Sequence, residues 1–149
     1  MRVLANTGTA FFNIGWDGAR GTAAVDGAFT WLEVEDFFQV GRDGGLGALN
    51  VTNGGAVDNF TAGSINEMRI GANGTGTLNI ESGRTYTTKT LAIGNGGDGT
   101  VNVANGGLLV ADRTFNAARG TITGGGTIVG DITNAGGTIA AGSSPGLMN

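Results

Sequence analysis

The groups able to do chemistry here are carboxylates and aromatic rings, because the sequence contains no His and no Cys. Without His the commonest general base and the commonest metal ligand are both missing. Zinc sites need Cys or His and are excluded. Walker and GxSxG spacings are absent, and Ser143 and Ser144 have no base to activate them. The densest acidic run is Trp31-Leu32-Glu33-Val34-Glu35-Asp36. As a strand it puts Trp31, Glu33 and Glu35 on one face, where a sugar can stack between carboxylates. A carboxylate pair is the minimum for glycoside hydrolysis. Any solvated strand face produces the same i, i+2 pair, and no Lys or Arg lies between Arg20 and Arg42. No catalytic residue is therefore assigned. A carbohydrate-binding or carbohydrate-active β-helix protein stands as the alternative to a structural role.

Calcium is the second chemistry to weigh. GNGGDGTVNV, around Asp98, resembles one copy of the nonapeptide of calcium-binding β-rolls. That chemistry needs an Asp in successive nine-residue copies, so that carboxylates of adjacent turns share each ion. The equivalent loops here hold Asp17, Asp43 and Asn73, much further apart. Solvated turn residues are the plainer reading, and no metal site or cofactor is assigned. If the loops stack, Asp17, Asp43 and Asp98 form a sparse ladder with weak affinity for calcium. Ice binding would need a TxT array at one repeated position on a flat face. TYTTKT (Thr85 to Thr90) and TIT (Thr121 to Thr123) do not recur in that way along the chain.

Aromatic residues are the third resource. Phe11, Phe12, Trp16, Phe29, Trp31, Phe37 and Phe38 all lie in the first 39 residues. They are the candidates for binding or assembly contacts. The plainer alternative is a terminal cap, or first rungs stacked through their rings.

Positioning these groups falls to a repeated phrase. It reads IGWDGARGTAAVDGAF from Ile14, VGRDGGLGALNVTNGGAV from Val40, IGANGTGTLNIESGRTY from Ile70 and IGNGGDGTVNVANGGLLV from Ile93. Within it, Leu49-Asn50-Val51, Leu78-Asn79-Ile80 and Val101-Asn102-Val103 alternate with the two-residue period of a strand. No helical apolar pattern persists. The chain carries 31 Gly in 149 residues and one Pro, about three times the usual glycine share. Asn-Gly and Gly-Gly pairs between alternating runs mark corners that need φ > 0. One such unit cannot bury its own apolar face, and stacking the next upon it does so. The predicted fold is all-β: a right-handed parallel β-helix, or β-solenoid, of about six turns. At a strand spacing of about 4.8 Å it makes a rod on the order of 30 Å long. Residues 1–39 form atypical aromatic-rich N-terminal rungs or a cap. Residues 40–118 form the Gly-rich rungs. Residues 119–149 form thinner Gly/Thr-rich rungs that end uncapped.

The phrases beginning at Val40 and Ile93, and the tail GTITGGGTIVGDITNAGGTIAAGSSPGLMN, resemble repeats in passenger regions of bacterial autotransporters and in PEP-CTERM-associated surface proteins. The likeness covers residues 40 to 149 and carries a parallel β-helix with it. It implies a non-enzymatic extracellular structural protein: a stalk or adhesin segment, or a self-assembling fibre subunit. The location implied is extracellular or on a bacterial cell surface. The open ends point to further copies of the chain, head to tail, as partners, and the Trp31, Glu33 and Glu35 face to a surface glycan. Net charge −4 without a basic run argues against nucleic acid. No stretch approaches the roughly 18 apolar residues of a membrane span, and MRVLANTG lacks the apolar core of a signal peptide.

Overall fold

The computed structural model describes residues 1–3, 9–59, 66–142 and 147–148. The chain is all-β, with no helix among these residues. Among the described residues no helix is long and apolar enough to cross a membrane. After a short β1 (Arg2–Val3), strands recur in threes. The first set is β2 (Phe11–Trp16), β3 (Arg20–Asp26) and β4 (Trp31–Val34). The second is β5 (Phe37–Arg42), β6 (Leu46–Thr52) and β7 (Ala56–Asn59). The third is β8 (Glu67–Ala72), β9 (Thr75–Glu81) and the first half of β10 (Arg84–Ile93). Beyond this, β10 and its successors β12 (Leu108–Ala117) and β14 (Thr127–Ala135) each run across a corner. They alternate with β11 (Asp98–Val103), β13 (Gly120–Gly124) and β15 (Thr138–Ala141), and β16 (Leu147–Met148) comes last.

Two sheets result, both parallel. One has six strands in the order β15-β13-β11-β9-β6-β3, and the other has ten. In the larger sheet β2, β5 and β8 follow one edge path, β4 and β7 another, and both meet β10. Ile14, Val40, Ile70 and Ile93, the anchors of the repeated phrase, occupy one column of register partners. Their irregular spacing is therefore absorbed in the corners, not in the strands.

The alternation read from sequence has a direct physical consequence. The second, fourth and sixth residues of β6, β9 and β11 point inward, stacking Leu49, Leu78 and Val101 in one column with Ile122 of β13, and Val51, Ile80 and Val103 beside it. All seven are buried. Each is worth about 1.5–3 kcal/mol relative to exposure. Leu32, Val57, Leu109 and Ile128, from the ten-stranded sheet, join the same core. Polar groups enter it further along: Thr85, Thr114 and Asn116 occupy stacked inward positions and are buried.

Corners make the glycines necessary. Gly41 (φ 72) is the penultimate residue of β5, and Gly76 sits in β9 against it. A Cβ on Gly41 would run into the Thr75 carbonyl, and one on Gly76 would run into the Val40 carbonyl. Both glycines of the phrase therefore allow two backbones to touch where consecutive units cross. Among the described residues, three of the intervening loops are tight turns with two successive positive φ angles: Asp17-Gly18 (51 and 76), Asp43-Gly44 (46 and 78) and Asn53-Gly54 (50 and 84). The Gly45 N–H donates to the Arg42 carbonyl at 2.8 Å, and the Gly55 N–H to the Thr52 carbonyl at 2.9 Å.

Candidate functional site

Strand alternation divides the seven aromatic candidates. In β2 and β5, Phe12 and Phe38 face the core, their rings 5.3 Å apart and tilted. Phe38 is fully buried and Phe12 packs against the cluster. Phe11 and Phe37 face outward and stack at 5.1 Å with 6° between planes. The Arg69 guanidinium covers the Phe37 ring at 4.9 Å, and Arg42 lies 5.7 Å from both Phe11 and Trp16. Each cation has its own carboxylate. Arg69 donates two bonds to Glu67, at 2.9 and 2.8 Å, and Arg42 donates to Asp43 at 2.8 Å. The hydrogen bonds that Arg69 donates to Glu67, together with the Glu67 charge, hold the Arg69 pKa above its usual value, against an opposing effect of burial. This patch is knitted together internally, each cation–π contact adding about 0.5–1 kcal/mol.

Phe29 and Trp31 lie elsewhere, at the corner between β3 and β4 and on the face formed by β4, β7 and β10. Phe29 is wholly exposed, at 103%, and Trp31 is 54% exposed. Phe29 holds φ 74, a conformation that costs a non-glycine residue about 1–2 kcal/mol. The two rings border a cleft of about 500 Å³ that also reaches Ala56, Asp58 and Arg84. Trp31, Ala56 and Arg84 occupy one register column, and Glu33 stacks on Asp58 in the next. Burial pushes the half-buried Asp58 carboxyl up, the Arg84 charge lowers it, and the Glu33 charge raises it further.

The carboxylate pair of this face is thus Glu33 with Asp58. Glu35, expected beside Glu33, lies beyond the end of β4. Strand geometry stops at Val34, before the alternation reaches Glu35. Asp58 and Arg84 were missed because they sit 25 and 51 positions from Glu33. Aligning the repeats by their corner glycines, Gly55 and Gly83, would have found both.

The acidic loops stack only in part. Asp17 and Asp43 follow the paired residues Trp16 and Arg42, Asn73 comes next, and Gly96 packs against Asn73. Asp98 is not in that ladder. It lies in β11 opposite Thr75 and forms an ion pair with Arg119 at 2.8 Å. The loop before β11 places a glycine, not the aspartate, at the turn position. Burial raises the Asp43 carboxyl, but hydrogen bonds from Arg42 and Asn73 prevail and leave it below the usual range. Among the described residues no group of three or more carboxylates is placed to hold a metal ion.

The threonines also regroup. Thr85 and Thr87 of TYTTKT are buried. Thr121 of TIT joins Thr77, Thr100 and Thr138 in one outward column of the six-stranded sheet. Beside them run Asn50, Asn79, Asn102 and Thr123. Their polar groups bond along the column: Asn79 donates to Asn50 at 2.9 Å and Thr123 to Asn102 at 3.3 Å. Such ladders hold neighbouring strands in register. Ser143 and Ser144 lie outside the described residues.

No protein family, curated protein or solved structure matches the chain.

Proposed function

We propose that this chain is a non-enzymatic structural protein: a right-handed parallel β-helix of about six turns, acting at a bacterial cell surface as a stalk, adhesin segment or self-assembling subunit. The observation that carries it is the in-register column of Ile14, Val40, Ile70 and Ile93, with strands recurring in threes between those anchors. The count of about six turns is supported by the six successive register partners Phe11, Phe37, Glu67, Thr90, Arg113 and Asp131. At about 4.8 Å per turn the rod is on the order of 30 Å long, and right-handed crossover follows from strand twist.

A rod of this kind projects loops at fixed intervals and keeps its backbone polar groups paired. The resemblance to autotransporter passengers and PEP-CTERM-associated surface proteins supports an extracellular or cell-surface location. Support for self-association lies in the six-stranded sheet, whose outermost described strands are β3 and β15. Such edges accept further strands from a second copy, in a contact that does not close. Sedimentation and electron microscopy over a concentration series test this. Rods that lengthen with concentration are expected, and monodisperse monomers at high concentration would overturn head-to-tail stacking.

A further inference from the structure

One corner departs from its equivalent. Asp26 pairs with Thr52, and Trp31 with Ala56, so the segments between them are equivalent turns. The second is Asn53-Gly54-Gly55, while the first is Gly27-Ala28-Phe29-Thr30, one residue longer. The insertion presents Phe29 to solvent at positive φ, where Gly54 (φ 84) meets the same demand without a side chain. Folding gains nothing from a strained and fully exposed aromatic ring.

The surroundings supply a use for it. Phe29 and Trp31 form an aromatic rim along the cleft, and Ala56, the small residue between Trp31 and Arg84 in their column, leaves the floor open. Asp58 and Arg84 line the cleft, and Glu33 stands beside Asp58. Apolar walls with a few convergent polar groups are the usual make-up of a small-molecule site.

We propose that this cleft binds a pyranose ring of a neutral polysaccharide. The C–H faces of such a ring are apolar and stack on Trp31 and Phe29. Its hydroxyls donate to the carboxylates of Asp58 and Glu33 and accept from the Arg84 guanidinium. Two carboxylates beside one guanidinium leave the site net negative, which repels acidic polysaccharides. The same guanidinium opposes a simple cation. The site does not depend on whether copies of the rod stack end to end.

Affinity electrophoresis of the full chain through gels containing dextran, galactomannan or xylan, with polygalacturonate alongside, tests the proposal. Retardation by at least one neutral polymer is expected, and none by polygalacturonate. Trp31→Ala should weaken binding by about tenfold or more. Phe29→Gly separates binding from folding: it relieves the backbone strain, so the melting temperature should rise while retardation falls. The proposal is overturned if no neutral polymer retards the protein or if both variants bind like wild type. Tighter binding to polygalacturonate, or reducing ends released from a bound polymer, would overturn it equally, the last because the site would then be catalytic.

Discussion

The corner glycines give the sharpest stability prediction. A Cβ on Gly76 would lie 2.5 Å from the Gly71 nitrogen and closer still to the Val40 carbonyl oxygen, whereas real Cβ contacts stay above 3.0 Å. Both obstacles are backbone, so no rotamer change removes them. In Gly76→Ala the crossing strands must separate by 0.5 Å or more. Overpacking of this kind costs about 1–3 kcal/mol, and two weakened ladder hydrogen bonds add about 0.5–1.5 kcal/mol each. A total of about 2–6 kcal/mol follows. Gly18 is the control: its φ is 76, but nothing lies within 4 Å of its Cβ direction. Gly18→Ala meets only the left-handed strain of about 1–2 kcal/mol, partly offset by a stiffer unfolded chain, about 0.4–1 kcal/mol. Urea unfolding followed by circular dichroism compares the two midpoints. The reasoning is refuted if Gly76→Ala unfolds at the same urea concentration as Gly18→Ala, or at a higher one.

Three further outcomes are expected. Phe38→Ala, at a fully buried position, should cost about 3–5 kcal/mol, and Phe11→Ala, half exposed, less than half as much in the same urea assay. Asp58 should produce an unusual pH dependence. Its carboxyl is held above the usual value of 3.8, so the folded state binds that proton more tightly than the unfolded chain, and folding gains stability as pH falls through the raised value. Asp26 acts in the opposite sense. Hydrogen bonds from Thr52 and Asn53 hold it low, so its contribution is present above the ordinary aspartate range and lost as pH falls through the depressed value. Asp58→Asn should therefore be at least as stable as wild type at pH 7, with the difference shrinking toward pH 4. A difference that grows on acidification contradicts the assignment. Finally, a chelator should leave the melting temperature unchanged, because Asp43 is bonded to Arg42 and Asp98 to Arg119.

Local rules were legible in the sequence wherever one residue decides the matter. Alternation in Leu78-Asn79-Ile80 gives the strand and its inward face, and Asn53-Gly54 gives the turn. The anchors Ile14, Val40, Ile70 and Ile93 give the register of the repeats. Neighbours that lie across the strands are hidden from any pattern read along the chain. Alternation puts Glu33 beside Glu35, two positions away, but its stacked neighbour is Asp58, one repeat on. Asp98 was grouped with Asp17 and Asp43 because the phrases look alike. The loop before β11 differs in length, and register, not likeness, decides which residues meet. The aromatic residues cluster along the sequence, but a two-residue period sends Phe38 inward and Phe37 outward. In parallel ladders the nearest partners are a whole repeat apart, so site chemistry becomes readable only after the repeats are aligned.

Cysteine cross-linking tests the parallel register most directly, because the chain has no Cys of its own. Thr77 and Thr100 are direct partners on β9 and β11, and Thr121 lies one strand further out. Parallel strands are about 4.8 Å apart, within the range of about 4.4–6.8 Å that a disulfide spans between Cα atoms. Under mild oxidation Thr77→Cys with Thr100→Cys should form an intramolecular disulfide, seen as a mass loss of two hydrogens. Thr77→Cys with Thr121→Cys should remain reduced. A bond in the second pair and none in the first would contradict the stacked-repeat architecture.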